Sequence, residues 1–310
     1  MNDMVNMVEK PSLVVVILTY NEEVHIERCI KSLLPIAQKI FIVDSFSTDR
    51  TVEIARCLGA IVCQRSWKNY ADQFQWGIEN CGSDYDWIMR MDADEYLEPE
   101  LQNELEHLLP SVEESIAGLY IRRKVMFYGR WMRHGGTYPQ ILLRIWRSGH
   151  GRIEQRYMDE HVVLDPPGST KIVSGHIVDE NIKGITFWTD KCNKYATREM
   201  VDLLNNQYSL LPRDETLKSI SDPQAKWKRI AKDTIYSRLP LGLRSSLYFL
   251  YRYLFRLGFL DGGKGFIWHF LQGFWYRMLV DVKIMEIKES SACDVDEIKK
   301  ILLEEHKISL

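Results

Sequence analysis

The chain lacks a glycine-rich phosphate loop. The turn after its first apolar run, T-Y-N-E-E (Thr19 to Glu23), is neither G-x-G-x-x-G nor G-x-x-x-x-G-K-[ST], which argues against a dinucleotide dehydrogenase and a P-loop NTPase. Its six cysteines form no C-x-x-C pair and no small-scaffold framework, so structural zinc is not expected and a reducing compartment fits best. Neither sign of charge dominates: 40 Lys and Arg face 43 Asp and Glu, a net charge of -3, so nothing draws the whole molecule to nucleic acid. The first residues, Met1 to Pro11, are polar and charged. No signal peptide is therefore expected, and the expected location is the cytoplasm. At 310 residues the chain is long enough to bury a full core.

What is present first is an alternation of strand and helix. Leu13 to Leu18 (L-V-V-V-I-L) is a continuous apolar run suited to a strand buried on both faces. A helix is expected from Glu22 to Leu34, ended by Pro35, with Val24, Ile26, Ile30, Leu33 and Leu34 on its apolar face. Ile40 to Val43 reads as a second strand and Thr51 to Leu58 as a second helix, capped by Ser47 or Thr48 and stopped at Gly59. A third strand (Ala60 to Cys63), a third helix (Tyr70 to Asn80) and a fourth strand (Trp87 to Met91) follow. Four such units in under a hundred residues predict an α/β fold with a mostly parallel central sheet flanked by helices.

Polar residues gather where these strands end: Thr19, Tyr20 and Asn21, then Asp44, then D-A-D-E at Asp92 to Glu95. Ligands of open α/β sheets bind at the carboxyl ends of strands. Two carboxylates spaced i, i+2, Asp92 and Asp94, suit one hard divalent cation, and such a cation typically bridges phosphate oxygens. Asp44 and Asp49 equally suit turn and cap positions, and Asn21 suits a helix cap.

Three segments in this order, L-V-V-V-I-L-T-Y-N-E-E, F-I-V-D-S-F-S-T-D-R-T and W-I-M-R-M-D-A-D-E, resemble family 2 glycosyltransferases with the GT-A (nucleotide-diphospho-sugar transferase) fold. The likeness covers about residues 12 to 100 and is nearest to bacterial enzymes that add sugars to lipopolysaccharide core or other surface polysaccharides. Many members have Asp-Asp-Gly-Ser where this chain has Asp44-Ser45-Phe46-Ser47. The resemblance implies an inverting transferase that uses a nucleotide-sugar donor, a UDP-sugar, with Mn2+ or Mg2+. On that basis Thr19, Tyr20, Asn21 and Glu22 line the nucleoside pocket, and Asp44 accepts a hydrogen bond from the uracil ring. Asp92 with Ala93 meets the ribose or the metal's water shell, and Asp94 ligates the metal. Gln73 is either a polar group facing the donor or plain helix surface. His176, in S-G-H-I, is either a further metal or diphosphate contact or structural. Glu95 supports this shell or caps the following helix, whose first turn Pro99 marks.

Gly118 to Tyr128 and Ile141 to Trp146 read as two further strands. The loop between them, R-W-M-R-H-G-G-T-Y-P, suits either acceptor-sugar binding or a plain surface hairpin. Transfer with inversion needs one carboxylate to take the acceptor's proton. In Tyr157-Met158-Asp159-Glu160-His161 the first choice is Glu160 and the alternative Asp159.

The expected organisation is a catalytic domain over 1–235 (nucleotide half 12–100, acceptor half 101–206), an aromatic and basic helical region over 236–290 and a tail over 291–310. Leu247 to Tyr276 holds twelve aromatics, and Arg238 to Lys283 has seven basic against two acidic residues. No stretch reaches 18 apolar residues, so helices lying on an anionic membrane surface are expected rather than spanning ones. The other reading is a helical hairpin packed on the catalytic domain or on a second copy of the chain. The expected partners are thus a nucleotide sugar, a lipid-linked or glycan acceptor and the cytoplasmic face of the bacterial inner membrane. Two rival functions stand beside this: a sugar nucleotidyltransferase, which would carry a glycine-rich basic loop after the first strand, and a membrane-associated scaffold that binds no nucleotide with metal.

Overall fold

The computed structural model describes residues 10–154, 161–210 and 240–304. They form two compact units: residues up to Met126 with Pro139–Glu154 and His161–Ile182, and Phe127–Tyr138 with the residues from Lys183 onward.

The first unit is an α/β sheet. Its strands are β1 (Leu13–Thr19), β2 (Lys39–Asp44), β3 (Ile61–Gln64), β4 (Trp87–Asp92), β5 (Glu95–Leu97) and β6 (Ile116–Phe127). After β7 (Arg130–Trp131), which lies in the second unit, come β8 (Gln140–Arg147) and β11 (Ser169–Asp179). The order across the sheet is β3-β2-β1-β4-β8-β6-β11-β5. The first four strands are parallel, as expected. Beyond them the sheet is mixed, because β8 runs antiparallel to both β4 and β6 while β6 and β11 are parallel. A separate hairpin pairs β9 (Gly151–Ile153) with β10 (Val162–Leu164).

Alternation along β1 sorts the core. Leu13, Val15 and Ile17 face one layer with Ile26, Ile30 and Leu33 of α1 (Ile26–Leu33) and Leu101 and Leu105 of α4 (Pro99–Leu108). Val14 and Val16 face the other, with Phe74 of α3 (Tyr70–Asn80) and the hairpin residues Ile153 and Val162. Both faces of β1 are buried, which is why its sequence is an unbroken apolar run.

Two starts differ from expectation. The regular helix begins at Ile26, not Glu22, after a turn in which the Glu22 carbonyl accepts from the His25 and Ile26 amides (2.9 Å each), while the Glu22 and Glu23 amides donate to Thr51 Oγ1 (2.7 Å) and Asp49 Oδ2 (3.1 Å). In α2 (Thr51–Cys57) the residue that satisfies the first turn is Asp49, which accepts from the Thr51 amide at 3.0 Å. Ser47 and Thr48 are committed elsewhere, to Asp44 and Asn21.

The second unit is helical: α5 (Gly184–Tyr208), α6 (Leu243–Leu250), α7 (Gly262–Phe270), α8 (Tyr276–Ser290) and α9 (Val295–Glu304). A π turn, Tyr251–Phe255, extends α6, and another, Leu271–Trp275, joins α7 to α8. Met200, Val201 and Leu204 of α5 pack with Val280, Ile284 and Ile287 of α8 and Ile298 and Leu302 of α9. Position 235, where a boundary is expected, lies outside the described residues. Among those described, no helix is long and apolar enough to cross a membrane.

Close approach between β11 and α4 supplies a test. A Cβ on Gly175 would stand 2.6 Å from the Leu101 Cα. Gly175→Ala should lower stability by about 1–3 kcal/mol through overpacking, read as a lower urea midpoint at unchanged slope. An unshifted midpoint would show that α4 can withdraw.

Candidate functional site

Thr19, Asp44 and Asp92 end three neighbouring parallel strands, with Thr19 opposite Asp44 and Leu18 opposite Asp92 in the ladders. Two strand spacings separate β2 from β4, about 10 Å.

The loops after β1 and β2 are stitched together. The Asn21 amide donates to Ser47 Oγ (2.9 Å), and Asn21 Oδ1 accepts from the Thr48 amide (2.8 Å). Asn21 sits at φ +55°, a left-handed conformation that asparagine tolerates better than most residues. Asp44 is fully buried and takes four donors: Thr19 Oγ1 (2.9 Å), the Ser47 amide (2.9 Å), Ser47 Oγ (2.5 Å) and Gln64 Nε2 (3.0 Å). Those fill the roughly four lone-pair positions of a carboxylate. Gln73, also fully buried, donates to Ser45 Oγ and the Arg65 carbonyl (3.2 Å each) and accepts from Arg65 (2.8 Å). It therefore ties α3 to the loops after β2 and β3. Glu22 accepts from His25 Nδ1 at 2.6 Å, and His25 Nε2 accepts from the Ile182 amide, which fixes the proton on Nδ1. Tyr20 remains exposed on one loop and Phe46 on the other. Phe46 holds φ +61°, so a left-handed turn is kept here despite a bulky side chain.

The acidic turn rests on one buried cation and two half-buried ones. Arg144 of β8 is 2% exposed and donates to Glu95 Oε1 at 2.5 Å, with Asp92 Oδ2 at 3.5 Å. Glu95 Oε2 accepts from the Asp92 amide at 3.0 Å, closing the turn on itself. Arg123 reaches Glu95 (3.6 Å) and Asp179 (3.3 Å). Tyr70 donates to Asp92 Oδ1 at 3.0 Å, and Arg90 lies 4.7 Å above the Tyr70 ring. Burial works against the Asp92 charge, but Arg90, Arg144, Arg123 and the Tyr70 hydroxyl outweigh it and hold the carboxyl well below the usual range. Burial dominates at Glu95 and pushes it up to about 7, against the pull of Arg144. Asp94 is half-buried; its Oδ2 accepts from Asn181 Nδ2 at 3.1 Å, and its carbonyl accepts from the Glu180 amide at 3.1 Å. Ala93 between the two aspartates is buried.

His176 stands apart from this turn. The Glu98 amide donates to its carbonyl, and its Nδ1 is 3.4 Å from Glu98 Oε2. In the β5–β11 ladder it is four residues along from the position opposite Asp94, about 13 Å. Desolvation, then Lys124, lowers its pKa. Glu160 and Asp159 lie outside the described residues. Of the described residues on either side, the Glu154 amide donates to the His161 carbonyl at 2.9 Å.

Sequence reasoning passed over Arg144, Arg123, Tyr70 and Phe46 as site residues. A signal existed for the first: an arginine inside L-L-R-I-W, like Arg90 inside W-I-M-R-M, is a charge in a strand buried enough to demand a partner.

A family model described as glycosyl transferase family 2 matches residues 14–180. An uncharacterized glycosyltransferase of Rickettsia bellii is 45% identical over 95 residues, 31% of this chain and 32% of that protein. The chain thus matches about a third of the length of that curated relative. The lipopolysaccharide core biosynthesis glycosyltransferase LpsC of Rhizobium meliloti is 28% identical over 235 residues, 74% of this chain and 80% of that one. Among solved structures, the mannosyltransferase PcManGT of Pyrobaculum calidifontis is 12% identical, covering 92% of this chain and 89% of that one at a TM-score of 0.46.

Removing Arg144 should strand buried carboxylates. Arg144→Met is expected to cost about 3–5 kcal/mol, the scale for breaking a buried pair from one side, in equilibrium urea unfolding. A loss below about 1 kcal/mol would mean that Arg123 alone can hold Glu95.

Proposed function

The chain belongs to glycosyl transferase family 2, and from that premise we propose that it is an inverting, metal-dependent transferase. It moves a sugar from a UDP-sugar to a lipid-linked or surface-glycan acceptor of the lipopolysaccharide kind, working at the cytoplasmic face of a bacterial membrane. The observation that carries this reading is the gathering of Thr19, Asp44, Asp92 and Asp94 at the ends of adjacent parallel strands. The name of the Rhizobium relative supports the acceptor class.

The residues fit a hard divalent cation of the kind that keeps waters and shares positions with phosphate oxygens. Asp92 and Asp94 offer two carboxylates, and among the described residues no group of three or more candidate ligands stands ready to cage an ion. Bound there, Mn2+ or Mg2+ supplies positive charge to the leaving diphosphate. Asp94 is the main ligand in this reading. Asp92, held ionised by its arginines, orients the ribose or a metal-bound water. His176 is left out of the cation site because Glu98 and the strand register hold it away.

Thr19, Tyr20, Asn21 and Phe46 border the nucleoside, with Tyr20 and Phe46 offering exposed rings for the base. Asp44 accepts from the uracil ring only if one of its present donors yields, and the Ser47 hydroxyl, which can rotate, is the one best able to do so. Gln73 acts one step back, by fixing the loop after β2. Glu160, with Asp159 as the alternative, takes the proton of the acceptor hydroxyl. The acceptor oxygen then bonds to the anomeric carbon as the bond to the diphosphate breaks, so one base and one leaving group complete the exchange.

Asp94→Asn should abolish the rise in thermal midpoint that UDP with manganese gives the parent, together with transfer. A full shift in the variant would remove Asp94 from the cation site. Glu160→Gln should keep that shift and lose on the order of a hundredfold in turnover of the UDP-sugar, the scale of a removed general base. If Asp159→Asn is the inactive variant and Glu160→Gln is not, the base is Asp159.

A further inference from the structure

Thirteen of the twenty-six exposed large hydrophobic side chains among the described residues fall between Leu241 and Phe270. They are joined, not scattered. Phe249 lies within 6.4 Å of the Phe266, Phe270 and Phe274 rings, and Tyr253 within 6.3 Å of Phe259 and Phe266. The face thus runs continuously from α6 through the turn to α7. Its crest is the turn itself, where Phe255 is 77% exposed and Leu254, Phe259 and Leu260 stand out beside it. Soluble monomers rarely leave so large an apolar face to water.

Charge decides what covers it. From Pro240 to Val280 the only acidic residue is Asp261, and it is buried at 2% exposure. There it accepts from the His134 amide (3.0 Å), His134 Nδ1 (2.6 Å) and His269 Nε2 (3.2 Å). Of the basic residues, Arg244 is paired with Asp281 and Arg277 with Glu199, so neither is available to a ligand of the face. Arg256 and Lys264 remain exposed at the edge of the crest, with exposed Arg130 close to Gly262. A two-fold contact between copies would set this face against itself, bringing cations together with no exposed carboxylate to meet them. An anionic lipid surface satisfies both parts: headgroups for the cations, acyl chains for the rings.

We propose that the turn Tyr251–Leu260 is an interfacial wedge that docks this unit on an anionic phospholipid bilayer, with Phe255, Phe259 and Leu260 entering the headgroup–acyl boundary. The wedge is fastened to the loop Tyr128–Tyr138: the Gly135 amide donates to the Arg256 carbonyl (2.8 Å), Arg252 Nε to the Gly135 carbonyl (2.8 Å), and Lys264 to the Tyr128 carbonyl (2.6 Å). A Cβ on Gly135 would meet His269 at 2.1 Å, so the H-G-G sequence is what lets loop and helix close. Docking therefore sets the height of that loop above the lipid. This deepens, and rests on, the reading of a lipid-borne acceptor.

The test is co-sedimentation of the full chain with vesicles of phosphatidylethanolamine and phosphatidylglycerol, against phosphatidylcholine alone, at low and high salt. The parent should pellet with the anionic vesicles and less at high salt. Phe255→Asp and, independently, Leu260→Asp should each weaken partition at least about tenfold, and Arg256→Gln about fivefold, all three keeping UDP binding and thermal midpoint. A parent that stays in the supernatant with anionic vesicles overturns the wedge, as does equal pelleting of both aspartate variants and the parent. So does a parent dimer that Phe255→Asp turns into monomer with vesicle binding unchanged, which would assign the face to a second copy. Loss of UDP binding in the parent would sink the transferase reading and leave the vesicle result standing.

Discussion

The buried pairing of Arg144 with Glu95 is the interaction on which the rest of the site depends. Asp92, Asp94, Glu95, Asp179 and Glu180 crowd one corner of the first unit, and like charges at such spacing repel strongly where water is excluded. Arg144 lies beneath the turn, Arg123 spans Glu95 and Asp179, and Arg28 donates to Glu180 at 2.7 Å. The cations allow the turn to exist. Glu95 then returns a hydrogen bond to the Asp92 amide, so the geometry of the two aspartates is inherited from a charge on a strand that is not part of the acidic sequence.

The second constraint is the stitching of two loops that are far apart in sequence. Asn21, Ser47 and Thr48 exchange hydrogen bonds, and Asp44 anchors the result from below. One consequence is a fixed edge to a candidate nucleoside pocket. Another is that Phe46 can be held at a positive φ, a cost that persists only where the surroundings over-determine the backbone.

Much of this was legible in the sequence. The third helix spans Tyr70–Asn80 as its periodicity predicts, and β1, β2 and β4 fall within a residue of their apolar runs. Strand ends followed from those runs, and with them the placing of Thr19, Asp44 and Asp92. What was not legible depends on pairing across the sheet. The three-residue strand β5 is too short to show a period, and it exists because β11 pairs with it. The partners of Arg144 lie 49 and 52 residues away, a relation that alternation along one strand cannot reveal. The pairing of Arg277 with Glu199, 78 residues away, is hidden from a local charge count for the same reason.

The central claim is that two carboxylates and a diphosphate together make the cation site, neither being enough alone. Titration of Mn2+ into the full chain, followed by the loss of the free-ion electron paramagnetic signal, tests this directly. Little binding is expected for manganese alone and strong binding once UDP is present, with UDP affinity raised by manganese by the same factor, as reciprocity demands. UDP binding that is equally tight with the metal chelated would contradict the account.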